Sequence, residues 1–251
     1  MSILKEDLNY INKNLVGSNL EDSTILITGG GGFLGYYLVN YLVNYSEFHQ
    51  VKKIVILDAF LFDKPKWLKD LEYKKVLEVH KFCVGHDSFL EFNRNYEFTH
   101  VIHMASIASP TFYRKFPIET IDANVWGLRD LLEGFKNSKF LKSFVFMSSS
   151  EIYGDPDPSS IPTKEDYRGF VSCTGPRACY DESKRFGETL CINYSEIYNL
   201  NISMVRPFNN YGPGLSIDDR RLPADFARAV ITNSDIVLLS DGSPTRTFCY
   251  V

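Results

Sequence analysis

From Ser23 onward the chain alternates short runs rich in valine, isoleucine and phenylalanine with longer amphipathic stretches, and no fixed-period repeat interrupts it. The runs predict strands over 24–28, 53–58, 77–83, 100–103, 143–148 and 201–206, and the amphipathic stretches predict helices over 34–44, 117–136, 180–198 and 222–231. Runs that are apolar throughout suit strands covered on both faces, so the alternation predicts an α/β fold with a parallel sheet flanked by helices. Ahead of it, Ile3, Leu4, Leu8, Ile11 and Leu15 recur near the helical period until Gly17 and Ser18 break the pattern, which predicts an N-terminal helix within 1–20. Pro156, Pro158, Pro162 and paired serines mark 154–175 as a long loop. After Arg206 the texture turns to Asn-Asn, Gly-Pro-Gly and Asp-Asp, which separates a main domain over 21–205 from a smaller lobe over 206–251.

At 251 residues and 44% hydrophobic the chain can bury a full core, which excludes disordered and fibrous classes. Its 27 basic side chains are scattered and outnumbered by 31 acidic ones, so nucleic acid is not the expected partner. No apolar stretch approaches the roughly 18 residues that span a bilayer, so no membrane association is expected. Lys5, Glu6 and Asp7 sit where a secretory signal would be apolar. Five cysteines without a CxxC pair read as reduced thiols of a cytoplasmic protein, with no metal site.

The strongest local signal is Thr28-Gly29-Gly30-Gly31-Gly32-Phe33-Leu34-Gly35, which follows a strand and opens a helix. Gly29, Gly32 and Gly35 at this spacing let the backbone approach a pyrophosphate, to which the helix N-terminus presents amides and a positive dipole end. Asp58, ending the second strand, can accept bonds from both ribose hydroxyls and would repel a 2′-phosphate, which favours NAD over NADP. The context predicts a Rossmann-like doubly wound sheet. Farther on, Tyr180 and Lys184 stand four apart on one helix face. An ammonium beside a phenol favours the phenolate, the form needed for a base near neutral pH. Ser148, Ser149 and Ser150 end a strand between the two motifs, where ligands bind in such sheets.

In this order the motifs resemble the extended short-chain dehydrogenase/reductases that act on nucleotide sugars, over about residues 22–251. The stretches from His103 to Pro110, from Ser149 to Pro156 (SSEIYGDP), from Gly175 to Glu182 (GPRACYDE) and from Thr245 to Phe248 are similar in particular to UDP-glucuronate decarboxylases. The resemblance implies that Tyr180, assisted by Lys184, takes the proton of the sugar 4-hydroxyl while hydride passes to NAD, that Ser149 supplies a hydroxyl to the same oxygen where the family has threonine, and that Glu151 assists proton handling. It further implies that Phe33 and Leu34 join the three glycines, Asp58, Asp87, Met104, Ala105, Ser106, Tyr180 and Lys184 around NAD. Tyr113, Asn209, Arg221 and Arg246 would face the nucleotide sugar.

The implied reaction is decarboxylation through a 4-keto intermediate, with no net redox change. Related 4,6-dehydratases carry Asp-Glu where Ser150-Glu151 stands here; without that aspartate the general acid for expelling a 6-hydroxyl is missing. A 4,6-dehydratase, a 4-epimerase and a non-catalytic NAD-binding module are the alternatives. The resemblance also implies a homodimer through the helices over 117–136 and 180–198. Relatives continue beyond position 251, so the substrate lobe appears truncated.

Overall fold

The computed structural model describes residues 2–251 except 16, 18, 62, 220, 239, 240 and 244; Ser18, half of the predicted helix break, lies outside the described residues. Six parallel strands form the main sheet: β1 (Thr24–Thr28), β2 (Lys53–Asp58), β3 (Leu77–Lys81), β4 (His100–His103), β5 (Ser143–Met147) and β6 (Ile202–Val205). Their order is β3-β2-β1-β4-β5-β6, the doubly wound arrangement in which the chain reverses direction across the sheet between β1 and β4. Thr28 pairs with Leu57 on one side and His103 on the other, so the ends of β1, β2 and β4 line up along one edge. A crevice at that edge is where such sheets bind ligands.

Alternation within the strands explains why both faces carry a core. Ile25, Ile27, Ile54 and Ile56 pack with Tyr37, Val39 and Leu42 on one face. Leu26, Val55, Leu57, Phe144 and Phe146 pack with Leu128, Leu132 and Cys191 on the other. The helices are α1 (Ile3–Asn14), α2 (Phe33–Asn44), α3 (Lys66–Lys69), α4 (Phe89–Asn93), α5 (Pro110–Lys115), α6 (Pro117–Ile121), α7 (Leu128–Phe135), α8 (Ala178–Tyr198) and α9 (Leu222–Thr232). A π-helical turn, Asp122–Gly127, joins α6 to α7, so the helix expected over 117–136 runs on with one widened turn. The strand expected over 77–83 ends at Lys81; Phe82 still bonds Asp58 O before the chain turns at Cys83. The loop 154–175 contains a short 3₁₀ turn, Pro158–Ser160, and one bridge from Gly154 to Phe170.

The sequence pattern missed β7 (Asn209–Tyr211) and β8 (Phe248–Tyr250), a parallel pair of three-residue strands in the C-terminal segment. That segment is open. Val230, Ile231 and Val237 are each about three-quarters exposed, whereas the inner residues of β1 and β2 are fully covered. Among the described residues no helix is long and apolar enough to cross a membrane. All five cysteines are free.

Candidate active site

The glycine turn is shaped by contacts that leave no room for side chains. Gly29 has φ +70°, and a Cβ there would lie 2.7 Å from the Ala105 backbone. At Gly35, one turn into α2, a Cβ would meet the Gly30 carbonyl oxygen at 2.1 Å, so only glycine lets the helix start this close to the strand. Gly32 caps α2 without a side chain, leaving the helix's first amides and dipole end open. Asp58 is tied into the same turn: Gly31 N donates to its Oδ2 at 2.9 Å and Phe60 N to its Oδ1 at 2.8 Å. Burial pushes the Asp58 carboxyl up, and these two amide bonds oppose that rise.

The end of β4 leans over the turn. Ala105 N donates to Thr28 Oγ1 at 3.2 Å, and the same hydroxyl meets His103 Nδ1 at 2.7 Å. His103 is fully buried and stacked on Phe146, and its imidazole is pushed down to about 3, first by burial and then by the Lys184 cation. It is therefore a neutral packing residue. Ser106 Oγ is buried with no hydrogen-bond partner among the described residues.

On the other side of the crevice, β5 ends at Met147, and Ser149 opens a 3₁₀ turn, Ser150–Tyr153, with its hydroxyl accepting from Glu151 N at 3.2 Å. Tyr180 and Lys184 project from one face of α8, both nearly fully buried. Lys184 Nζ donates to Met147 O at 2.8 Å and lies 5.9 Å from the Tyr180 ring centre. Burial lowers Lys184 to about 7 and raises Tyr180; a bond from Ser149 and the Arg221 cation pull the phenol back down. Lys184 Nζ is thus committed to a carbonyl on the same face of α8 as the phenol. Tyr113 is 2% exposed and stacks on Tyr180 with ring centres 5.2 Å apart.

The remaining expected residues divide. Arg221 is held by two bonds of 2.8 Å from Asp219 and lies over the Phe33 ring, next to the glycine turn. Asn209 bridges β7 to β8 by donating to Thr247 O. Asp87 is exposed on the loop after β3, where it accepts from Cys83 N. Arg246 is exposed and donates to Thr245 O.

Three site-shaping residues escaped sequence reasoning. Arg177 pairs with Glu151 and approaches Asp181 at 3.4 Å. Glu188 accepts from Ser148 Oγ at 2.6 Å and pairs with Arg206 at 2.7 Å; Arg206 also reaches Tyr153 OH and Glu165 O. Glu188 lies four residues after Lys184 on the same helix face, a spacing that could have flagged it.

Residues 25–251 match the model of the NAD dependent epimerase/dehydratase family. The chain belongs to that family. UDP-glucuronic acid decarboxylase 1 of Arabidopsis thaliana is 34% identical over 236 residues, covering 94% of this chain and 51% of its own length. UDP-glucuronic acid decarboxylase 1 of Xenopus tropicalis is 32% identical over 240 residues, with 93% and 52% covered. The chain thus spans about half the length of these relatives. Among solved structures, UDP-N-acetylglucosamine 4-epimerase from Methanobrevibacter ruminantium M1, in complex with UDP-N-acetylmuramic acid, superposes with TM-score 0.78 at 25% identity, covering 92% of this chain and 69% of that one. UDP-glucose 4-epimerase from Thermotoga maritima has the same TM-score at 20% identity and shares the fold.

Proposed function

We propose that this chain carries the NAD-binding and catalytic portion of an enzyme that decarboxylates UDP-glucuronate through a 4-keto intermediate. The observation that carries the reading is the meeting of Ser149, Glu151 and Tyr180 at the end of β5, across the sheet edge from an open glycine turn, in a chain about one-third identical to UDP-glucuronic acid decarboxylases.

The residues present fit NAD. The Gly29 and Gly32 turn and the open amides at Phe33, Leu34 and Gly35 would take the pyrophosphate, and Asp58 keeps lone pairs for ribose hydroxyls beyond its two amide bonds. The unpartnered Ser106 hydroxyl, with Met104 and Ala105, lines the same crevice, and Asp87 would meet the adenine. NAD supplies the hydride acceptor and later the donor, so it stays with the protein between turnovers.

Tyr180, assisted by Lys184, takes the proton of the sugar 4-hydroxyl, and Ser149 holds that oxygen. Oxidation at carbon 4 makes the uronate a β-keto acid, which loses its carboxylate because the enolate left behind is resonance-stabilised. Glu151 then assists proton delivery to the ring. Tyr113, Asn209, Arg221 and Arg246 would bind the nucleotide sugar; the Arg221 fork suits a diphosphate. A homodimer through the helices over 117–136 and 180–198 is supported by exposed Ile118 on α6, Trp126 on the π-helical turn, and Phe186 and Ile197 on α8. Five free thiols suit a cytoplasmic setting.

Supplied with NAD and UDP-glucuronate, the protein should release carbon dioxide and a UDP-pentose, and Tyr180→Phe should cut kcat by about 10²- to 10⁴-fold. A 4-epimer as product would replace decarboxylation with epimerisation, and UDP-glucuronate left untouched while UDP-glucose gives a 4-keto-6-deoxy sugar would replace it with dehydration. Activity unchanged in Tyr180→Phe would remove the catalytic assignment, and a monomeric mass in light scattering would remove the dimer.

A further inference from the structure

Glu151 and Tyr180 come from different elements, and one residue touches both. We propose that Arg177 is a positioning residue that fixes the Glu151 carboxylate to the start of the helix carrying Tyr180, so that the two groups address one sugar ring together; this rests on the function proposed above.

Arg177 is the N-cap of α8, and its carbonyl accepts from Tyr180 N at 2.9 Å and from Asp181 N at 3.0 Å. Its backbone is thereby in register with the base. Its side chain leaves the helix, pairs with Glu151 on the 3₁₀ turn and keeps Asp181 within 3.4 Å. Asp181 is 9% exposed; burial pushes its carboxyl up, and Arg177 draws it down. The guanidinium therefore lies between two carboxylates, hydrogen-bonded to Glu151 through Nη2 and facing Asp181 through Nε as a charge.

The 3₁₀ turn has other anchors, but they hold its backbone. Ser150 N donates to Pro207 O, Gly154 N to Glu151 O and Glu151 N to Ser149 Oγ. Among the described residues the hydrogen-bond partner of the Glu151 carboxylate is Arg177. Without it, Glu151 would sample several rotamers beside the sugar. The pair is little more than one-third exposed, so its worth to folding is small, while its worth to alignment is not: misplacement of about 1 Å can cost about 10²-fold in rate.

The test compares wild type, Arg177→Gln, Arg177→Lys, Glu151→Gln and the double variant R177Q/E151Q, each NAD-loaded, with UDP-glucuronate. Arg177→Gln should lower kcat by about 10²-fold with KM little changed. Arg177→Lys should regain part of that loss, and R177Q should add nothing in the E151Q background, because both changes remove one function. Wild-type kcat in R177Q, or losses that multiply in the double variant, would overturn the proposal. An activity-independent reading comes from protein labelled with ¹³C at the glutamate carboxyls. The Glu151 signal, identified by its absence in E151Q, should move in R177Q and stay near its place in R177K. An unmoved signal overturns the proposal. A wild-type chain inactive on UDP-glucuronate would remove the functional reading, and the carboxyl signal would still decide whether Arg177 holds Glu151.

Discussion

The glycine turn and the C-terminal segment are built from different materials. At the glycine turn the walls are backbone: Gly29 against Ala105, Gly35 against the Gly30 carbonyl, and Asp58 bound by two amides. In the C-terminal segment the wall is a pair of three-residue strands and α9, with Arg246, Phe248 and Tyr250 exposed. A backbone wall inside a two-faced core is shaped before any ligand arrives. A side-chain wall on an open segment is shaped contact by contact, as where Arg221 donates to Asp219 over Phe33 and Tyr250 bonds Asp7.

Breaking the covered side should cost most. Phe144, on β5, is fully buried, and Phe144→Ala should lower unfolding free energy by about 3–5 kcal/mol in denaturant titration. Gly35→Ala forces a Cβ toward the Gly30 carbonyl, so it should cost about 1–3 kcal/mol and abolish NAD binding measured by calorimetry. Acid should act next. His103 is buried neutral, held down to about 3 from its ordinary 6.5, so the unfolded chain binds the extra proton between those values. Stability should fall as pH drops below about 6.5, at about 1.4 kcal/mol per unit from this group, and His103→Gln should flatten that slope in thermal scans. Val230→Ala, in the open segment, should change stability by about 0.5 kcal/mol or less and leave NAD affinity alone. An effect as large as that of Phe144→Ala would erase the contrast between the two regions.

The part of the fold that was legible is the part buried on both faces. TILIT and KIVILD announce β1 and β2 because a parallel strand between helix layers has no polar side to show. β7 and β8 gave no such sign: NNY and FCY are three residues long, and they pair across 36 intervening residues. The π-helical turn at Asp122–Gly127 was invisible for a related reason, since its apolar spacing continues that of its neighbours. In the site, the glycine turn and the Tyr180–Lys184 pair were readable as local spacings. The partners of Glu151 were not, because Arg177 lies 26 residues away in sequence.

By itself the sequence determined the six strands of the main sheet and its long helices, where the backbone must pass close enough to exclude side chains, and that a phenol and an amine share one helix face. These depend on periodicity and on the size of a side chain, both local properties. Tertiary structure alone decided the surroundings of the tyrosine. It buried Lys184 and Tyr180 together, turned the lysine to Met147, stacked Tyr113 on the phenol, and gave Glu151 its arginine. Desolvation and ion pairing depend on which distant groups surround a side chain, and no spacing along the chain records that.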